Sequence, residues 1–182
     1  MQHGARGTVP GFEDRRTHGV RPNGVYLARF RNVKDRHPDF LRGYAYQGVG
    51  SRTVNGWRRG AAERGFGAAF KDGLRVPEYG TWRMSLGAFG ECLPHPDNRV
   101  TLDPGVTDRW GVPVLHIDMV WRENEMALMR DAQVQGAEML EAAGCQDVTT
   151  YNNETPPGLT IHEMGTARMG RSRRDSVLNG WN

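Results

Sequence analysis

Short stretches with a two-residue hydrophobic period recur along the chain, and one long stretch follows a helical period. Residues 1–24 follow neither pattern. They are rich in Gly, Arg, Pro and His, which predicts an irregular lead-in segment. Val25-Tyr26-Leu27-Ala28-Arg29-Phe30 is the first strand pattern, bounded by the turn pair Asn23-Gly24. A charged turn, Asp35 to Asp39, is closed by Pro38. Phe40 to Gly48 then reads as a second strand, with Leu41, Tyr44 and Tyr46 making one face aromatic.

Thr81 to Glu91 alternates most regularly, with Trp82, Met84, Leu86 and Ala88 on one side of a half-buried strand. Pro94, Pro96, Asp97 and Asn98 predict a turn. Arg99 to Asp103 returns as a strand that Pro104-Gly105 should break, and Asp108 to Gly111 forms another turn. Pro113 to Met119 is again a strand. Val114, His116 and Asp118 point one way along it, and Leu115, Ile117 and Met119 the other.

The helical period covers Arg122 to Ala143, where Met126, Met129, Gln133, Gly136/Ala137, Leu140 and Ala143 share a stripe read as core. Glu123 and Glu125 suit the positive end of the helix dipole, and Gly144 is a natural stop. Val148 to Tyr151 is a last short strand, and Asn152 to Gly158 is loop. Strands outnumber helices and are spaced like hairpins. The expected fold is therefore α+β, an antiparallel sheet with helices packed on one face. No internal repeat or low-complexity linker divides the chain.

Composition sharpens the picture in the remaining stretch. Glycine accounts for 24 of 182 residues, against a usual share of about 7%, and seven of these fall between Gly48 and Gly73. Gly65-Phe66-Gly67-Ala68-Ala69-Phe70 begins like a dinucleotide fingerprint, but Phe70 stands where the third glycine belongs. No strand pattern leads into it, and a mobile loop or short helix is the expectation. No apolar run reaches the roughly 20 residues of a membrane span, and no secretory leader is visible at Met1 to Arg6. Nothing in the chain indicates a compartment.

Charge is uneven. Residues 1–91 carry 16 Lys and Arg against 8 Asp and Glu; residues 92–182 carry 8 against 13. The basic half could meet an anionic partner, although Arg used in place of Lys explains it as well. Cys92 and Cys145 cannot make a zinc site alone and read as small buried residues.

Among six histidines, His3, His18 and His37 lie in polar sequence and are expected at the surface, and His95 sits in a turn. His116 and Asp118 share a strand face and could pair or bind a metal, but a satisfied sheet histidine is the simpler reading. No metal site is expected. His162 heads His162-Glu163-Met164-Gly165-Thr166-Ala167-Arg168-Met169-Gly170. The zinc-protease pattern fails there, because Thr166 stands where the second His is needed. A nucleophile-elbow serine is also missing. The residues alone leave His162 open between a hydrogen-bonded structural histidine and a catalytic acid/base.

Thr160 to Gly170, followed by Ser176-Val177-Leu178-Asn179, resembles the C-terminal part of the glucose–methanol–choline (GMC) flavoprotein oxidoreductases. Gly90-Glu91-Cys92-Leu93-Pro94, Asn98 to Asp103, Trp110 to Pro113 and the helix ending in Ala142-Ala143-Gly144 agree with that pattern. The resemblance covers most of the chain from about Val25. It implies a domain of the GMC C-terminal type, divided as a lead-in at 1–24, a substrate-binding domain at 25–159 and a catalytic-loop segment at 160–182.

It also implies oxidation of the CH–OH group of a sugar or other alcohol with FAD. His162 would take the hydroxyl proton while hydride passes to flavin N5. An imidazole, with an ordinary pKa of about 6.5, suits that task at neutral pH. Gly165, Thr166 and Arg168 would lie against the cofactor. The family's Gly-rich FAD-binding half and its second catalytic residue have no counterpart here. The expected partners are therefore a small-molecule alcohol or sugar and the missing FAD-binding half, with no membrane.

A second function class remains open: a non-catalytic module that binds an anionic ligand or nucleic acid through the basic half and Arg168, Arg171, Arg173 and Arg174. No RRM, KH or zinc-finger spacing supports it. Tyr44, Tyr46 and Trp57 with Gln47 could form a sugar-stacking surface, with core packing equally open.

Overall fold

The computed structural model describes residues 3–12, 24–54, 66–75, 79–153, 156–157, 162 and 164–181. Two compact units emerge. One joins Gln2–Glu91 to Glu123–Asn153; the other joins Cys92–Arg122 to Glu154–Asn182.

The first unit is a five-stranded sheet with a long helix. Its strands are β1 (His3–Val9), β2 (Val25–Phe30), β3 (Tyr44–Val54), β4 (Tyr79–Gly90) and β7 (Gln146–Asn152). They lie in the order β2-β3-β4-β1-β7, and every adjacent pair is antiparallel. The short helix α1 (Ala68–Arg75) falls where a loop or short helix was expected. The long helix α2 (Glu123–Ala142) packs on β1, β4 and β7. Among the described residues no helix is long and apolar enough to cross a membrane.

The sequence expectation fails at the N-terminus. His3–Val9, read as part of an irregular lead-in, is an interior strand between β4 and β7. His3 and Ala5 are buried there, so His3 is not at the surface. Close packing explains the weak signal, because this strand is built from small residues. A Cβ on Gly7 would come within 2.9 Å of Cys145 Cβ and 3.0 Å of a Val148 methyl. Across the core, a Cβ on Gly136 of α2 would meet Ala5 Cβ and Tyr46 Cε1, each at 3.4 Å. Short side chains here let helix and sheet approach, but they erase the hydrophobic alternation that pattern reading needs.

The core lies between α2 and one sheet face: Ala5, Tyr44, Tyr46, Leu86 and Ala88 against Leu128, Ala132 and Leu140. Tyr44 and Tyr46 meet edge to face with centroids 5.4 Å apart, and Phe30 packs on both. Each tyrosine reaches α2 with its hydroxyl. Tyr46 donates to the Ala132 carbonyl at 2.7 Å, and Tyr44 donates to Asp131 Oδ2. The second strand starts at Tyr44, not Phe40, and Leu41 is exposed.

The buried stripe of α2 is Glu125, Leu128, Met129, Ala132, Gly136 and Leu140. It shares Met129, Gly136 and Leu140 with the expected stripe, whereas Ala143 is exposed beyond the helix end. Gly144 stops the helix at φ 84°, with Gly144 N–H donating to Glu141 O and Cys145 N–H to Leu140 O. This is the left-handed closure that satisfies the last carbonyls of a helix. Cys92 and Cys145 are half-buried, not buried as expected.

In the second unit, β5 (Arg99–Thr107) and β6 (Pro113–Asp118) pair as an antiparallel ribbon. Pro104-Gly105 does not end β5; the register shifts between Leu102 and Thr107 instead. Gly105 N–H donates to Asp103 Oδ1 at that irregularity, and Asp108 Oδ1 accepts from Trp110 and Val112 N–H in the connecting turn. At the far end the Asn98 side chain bonds both backbone groups of Val120.

Candidate active site

The His162 stretch belongs to the second unit. His162 is exposed, with φ 74°, a left-handed conformation that costs a non-glycine residue of order 1 kcal/mol. Gly165 follows at φ 101° in open space. Arg168 donates from Nη1 to Gly165 O at 3.2 Å and closes the turn that carries Thr166 and Ala167.

The chain then pairs with itself. Met169 and Leu178 form a parallel bridge, Gly170 N–H donates to Leu178 O at 3.0 Å, and Leu178 N–H donates to Arg168 O at 3.3 Å. Between them Ser172 O accepts from Asp175 N–H, Ser176 N–H and Ser176 Oγ. A Cβ on Gly170 would fall 2.4 Å from Ser176 Oγ, so only glycine fits there. The loop thus joins Gly165 to Arg168, and Arg168 through the Met169–Leu178 bridge to the following turn. It holds Gly165, Thr166 and Arg168 at the surface.

The sheet unit has an exposed face of its own. Its core face is covered by α2, whereas Tyr26, Gln47, Val49 and Phe89 on the opposite face are exposed. One row across that face runs Tyr26, Gln47, Gly87, Gly4, Tyr151 in register. The Tyr151 hydroxyl lies over the two glycines, 3.1 Å from where a Gly4 Cβ would stand and 3.4 Å from one on Gly87. Burial raises the Tyr151 phenol pKa, with Arg6, 5.9 Å from the ring centroid, opposing the shift.

This face was only partly legible in the sequence. Gln47 lies on it, but Tyr44 and Tyr46 point into the core, and Trp57 lies outside the described residues. Tyr151 and the paired glycines were missed because β1, which brings Gly4 beside both, was not seen as a strand.

A polar cluster also escaped sequence reading. Arg31 donates from Nε and Nη2 to both oxygens of Asp131, at 2.8 and 2.9 Å, and Tyr44 donates to Asp131 Oδ2. His37 Nε2 lies 3.8 Å from Asp131 Oδ1, and its ring stacks on Phe40 at 4.0 Å. His37 is thus half-buried, not at the surface as expected. Burial pushes the Asp131 carboxyl pKa up, but the Arg31 and Tyr44 hydrogen bonds outweigh it and hold the group below the usual value. His18 lies outside the described residues. His116 and Asp118 share one exposed ribbon face, opposite Thr101 and Arg99. Among the described residues no group of three His, Cys, Asp or Glu could hold a metal ion.

A family model of the GMC oxidoreductases, covering their C-terminal part, matches residues 94–182. That span contains the β5–β6 ribbon, α2, β7 and the whole His162 loop. A 2-methyl-1,2-propanediol dehydrogenase from Mycolicibacterium austroafricanum is 37% identical in an alignment of 176 residues, and the match covers 87% of this chain. The chain belongs to the GMC oxidoreductases. It corresponds to a C-terminal portion of the family and spans 29% of the length of that relative. No solved structure matches the GMC chain.

Proposed function

We propose that this GMC chain is the substrate-binding and catalytic-loop portion of an FAD-dependent oxidoreductase acting on the CH–OH group of a small alcohol. The observation that carries the reading is the His162 loop: it lies within the family match, and its histidine is held exposed at a strained backbone angle. Strained, exposed polar residues on a braced loop are characteristic of sites where geometry is set in advance. We assign the sheet-and-helix unit to the family's C-terminal fold and the 160–182 segment to its catalytic loop.

The described residues fit one part of a flavin and not the whole. Gly165, with open space where a side chain would be, leaves bare backbone that a planar ring can approach. Thr166 and Arg168 stand beside it with polar groups. No Gly-rich strand-to-helix turn for a pyrophosphate is present among the described residues. Gly165, Thr166 and Arg168 would therefore contact the ring end of FAD, with the remaining contacts supplied from outside this chain. Bound FAD would supply the acceptor for the hydride.

The chain's own contribution is proton transfer and positioning. An imidazole nitrogen of His162 accepts the hydroxyl proton, which raises electron density on the carbinol carbon and eases departure of its hydride. The electron pair of the O–H bond becomes the second bond of the product carbonyl. Arg168, by closing the turn onto Gly165 O, fixes where His162 is presented. The relative's name points to a small vicinal diol, and sugars and related polyols share the same chemistry.

The test joins this chain to the part of the diol dehydrogenase relative that lies outside the matched region. Reduction of bound flavin is then followed with 1,2-propanediol and with glucose. His162→Ala is expected to slow flavin reduction by at least a thousandfold while the flavin stays bound. Unchanged reduction kinetics would rule His162 out as the base.

A further inference from the structure

Four of the exposed aliphatic side chains of the second unit share one face of one element. Cross-strand register sets Val100 opposite Ile117 and Leu102 opposite Leu115. Residues two apart in a strand share a face, so these four form a single apolar quartet. All four are open to solvent: Val100 54%, Leu102 63%, Leu115 64% and Ile117 48% exposed. The reverse face carries Arg99, Thr101, His116 and Asp118, with Arg99 opposite Asp118 and Thr101 opposite His116. The ribbon is therefore sharply amphipathic, with its polar side complete and its apolar side uncovered.

A two-stranded ribbon alone is marginal in water and gains stability when its apolar face is covered. Four half-exposed aliphatic side chains fall far short of the roughly 800 Å² per partner that separately diffusing chains bury in a stable interface. A contact within one polypeptide needs less area, because tethering supplies a high effective concentration. The ribbon and the His162 loop lie in the same compact unit and the same family match. More than two thirds of the relative's length lies outside the region this chain matches.

We propose that the Val100–Leu102–Leu115–Ile117 face is the docking surface for the flavin-carrying part of a GMC polypeptide. This rests on the reading that the chain works with such a part. The quartet seats the second unit on it, and with that unit the loop that presents His162.

The test co-expresses the 182-residue chain with the part of the 2-methyl-1,2-propanediol dehydrogenase relative outside the matched region. Co-elution, flavin absorbance and flavin reduction by 1,2-propanediol are recorded. Val100→Thr with Ile117→Thr keeps both positions β-branched, so strand preference is retained while the face turns polar. The wild-type chain is expected to co-elute with flavin, the double variant to lose at least tenfold of that capture, and Thr101→Ser on the polar face to capture as wild type. Three results overturn the proposal: no capture by the wild-type chain, equal capture by the double variant, or a lower melting temperature of the isolated chain carrying the double variant. The last would mean that the face is covered from within this chain. A wild-type chain that self-associates in sedimentation, with the double variant monomeric, assigns the face to a second copy and equally overturns it. Capture without flavin reduction would instead count against the His162 chemistry and leave docking standing. Reduction that survives the double variant unchanged would do the reverse.

Discussion

At the scale of single residues, Asp131 is a heavily committed polar group of the sheet unit. It holds both guanidinium contacts of Arg31, a residue at φ 67°, together with the Tyr44 hydroxyl. Asp131→Ala strands Arg31 and removes the acceptor of Tyr44. Its expected cost is about 2–3 kcal/mol, near the lower edge for buried pairs because the Arg31 side chain is a third exposed (32%). Urea unfolding monitored by circular dichroism measures it.

The same cluster fixes the pH response. The folded Asp131 pKa lies below its ordinary value of about 3.9, so the native state binds fewer protons than the unfolded chain in that window. Stability from this group is present above that value and lost as pH falls through the folded pKa. Tyr44 and Tyr46 work at the other end. Burial, and for Tyr44 the hydrogen bond to Asp131, raises Tyr44 well above the usual phenol range. Burial pushes Tyr46 up to about 12. Their stabilisation is complete below the ordinary phenol value, about 10, and is lost as pH rises through the folded values. Chemical denaturation from pH 2 to 12 should show both limbs, with Asp131→Asn flattening the acid one.

At the scale of elements, alternation located β2, β4 and β6, and the helical period located α2 to within one residue at each end. β2, β4 and α2 carry full-sized side chains on a buried or half-buried face, and β6 carries them in regular alternation although it is largely exposed. β1 does not. Gly4, Ala5 and Gly7 are small because α2, β4 and β7 press on them, and a strand selected for close approach looks like a loop in the sequence. Truncation of residues 1–9 is expected to abolish cooperative melting of the sheet unit, because β1 bridges β4 and β7. A truncated chain that melts like the intact one would contradict the interior placement. Gly144→Ala, forced to hold φ 84° with a Cβ, should cost about 1 kcal/mol by the same unfolding measurement.

At the scale of the whole molecule, what was legible was the family, carried by the spacing of the His162 motif and its flanking segments. What was not legible was the juxtaposition that only strand pairing creates. Gly4 lies beside Gly87 and Tyr151, and Asp131 lies beneath Arg31 and Tyr44. The partners in those groups are separated by between 13 and 147 positions in the sequence, so no local pattern announces them. The purified 182-residue chain is expected to show no stoichiometric flavin absorbance near 450 nm. A yellow protein carrying one flavin per chain would overturn the division of the binding site proposed here.

The central claim is that His162 takes the alcohol proton. Stopped-flow reduction of flavin by 1,2-propanediol, in the polypeptide joining this chain to the remainder of the relative, tests it most directly when wild type and His162→Ala are compared. The expected result is a loss of at least three orders of magnitude in the limiting reduction rate, with flavin content unchanged. Equal limiting rates in the two proteins would contradict the assignment.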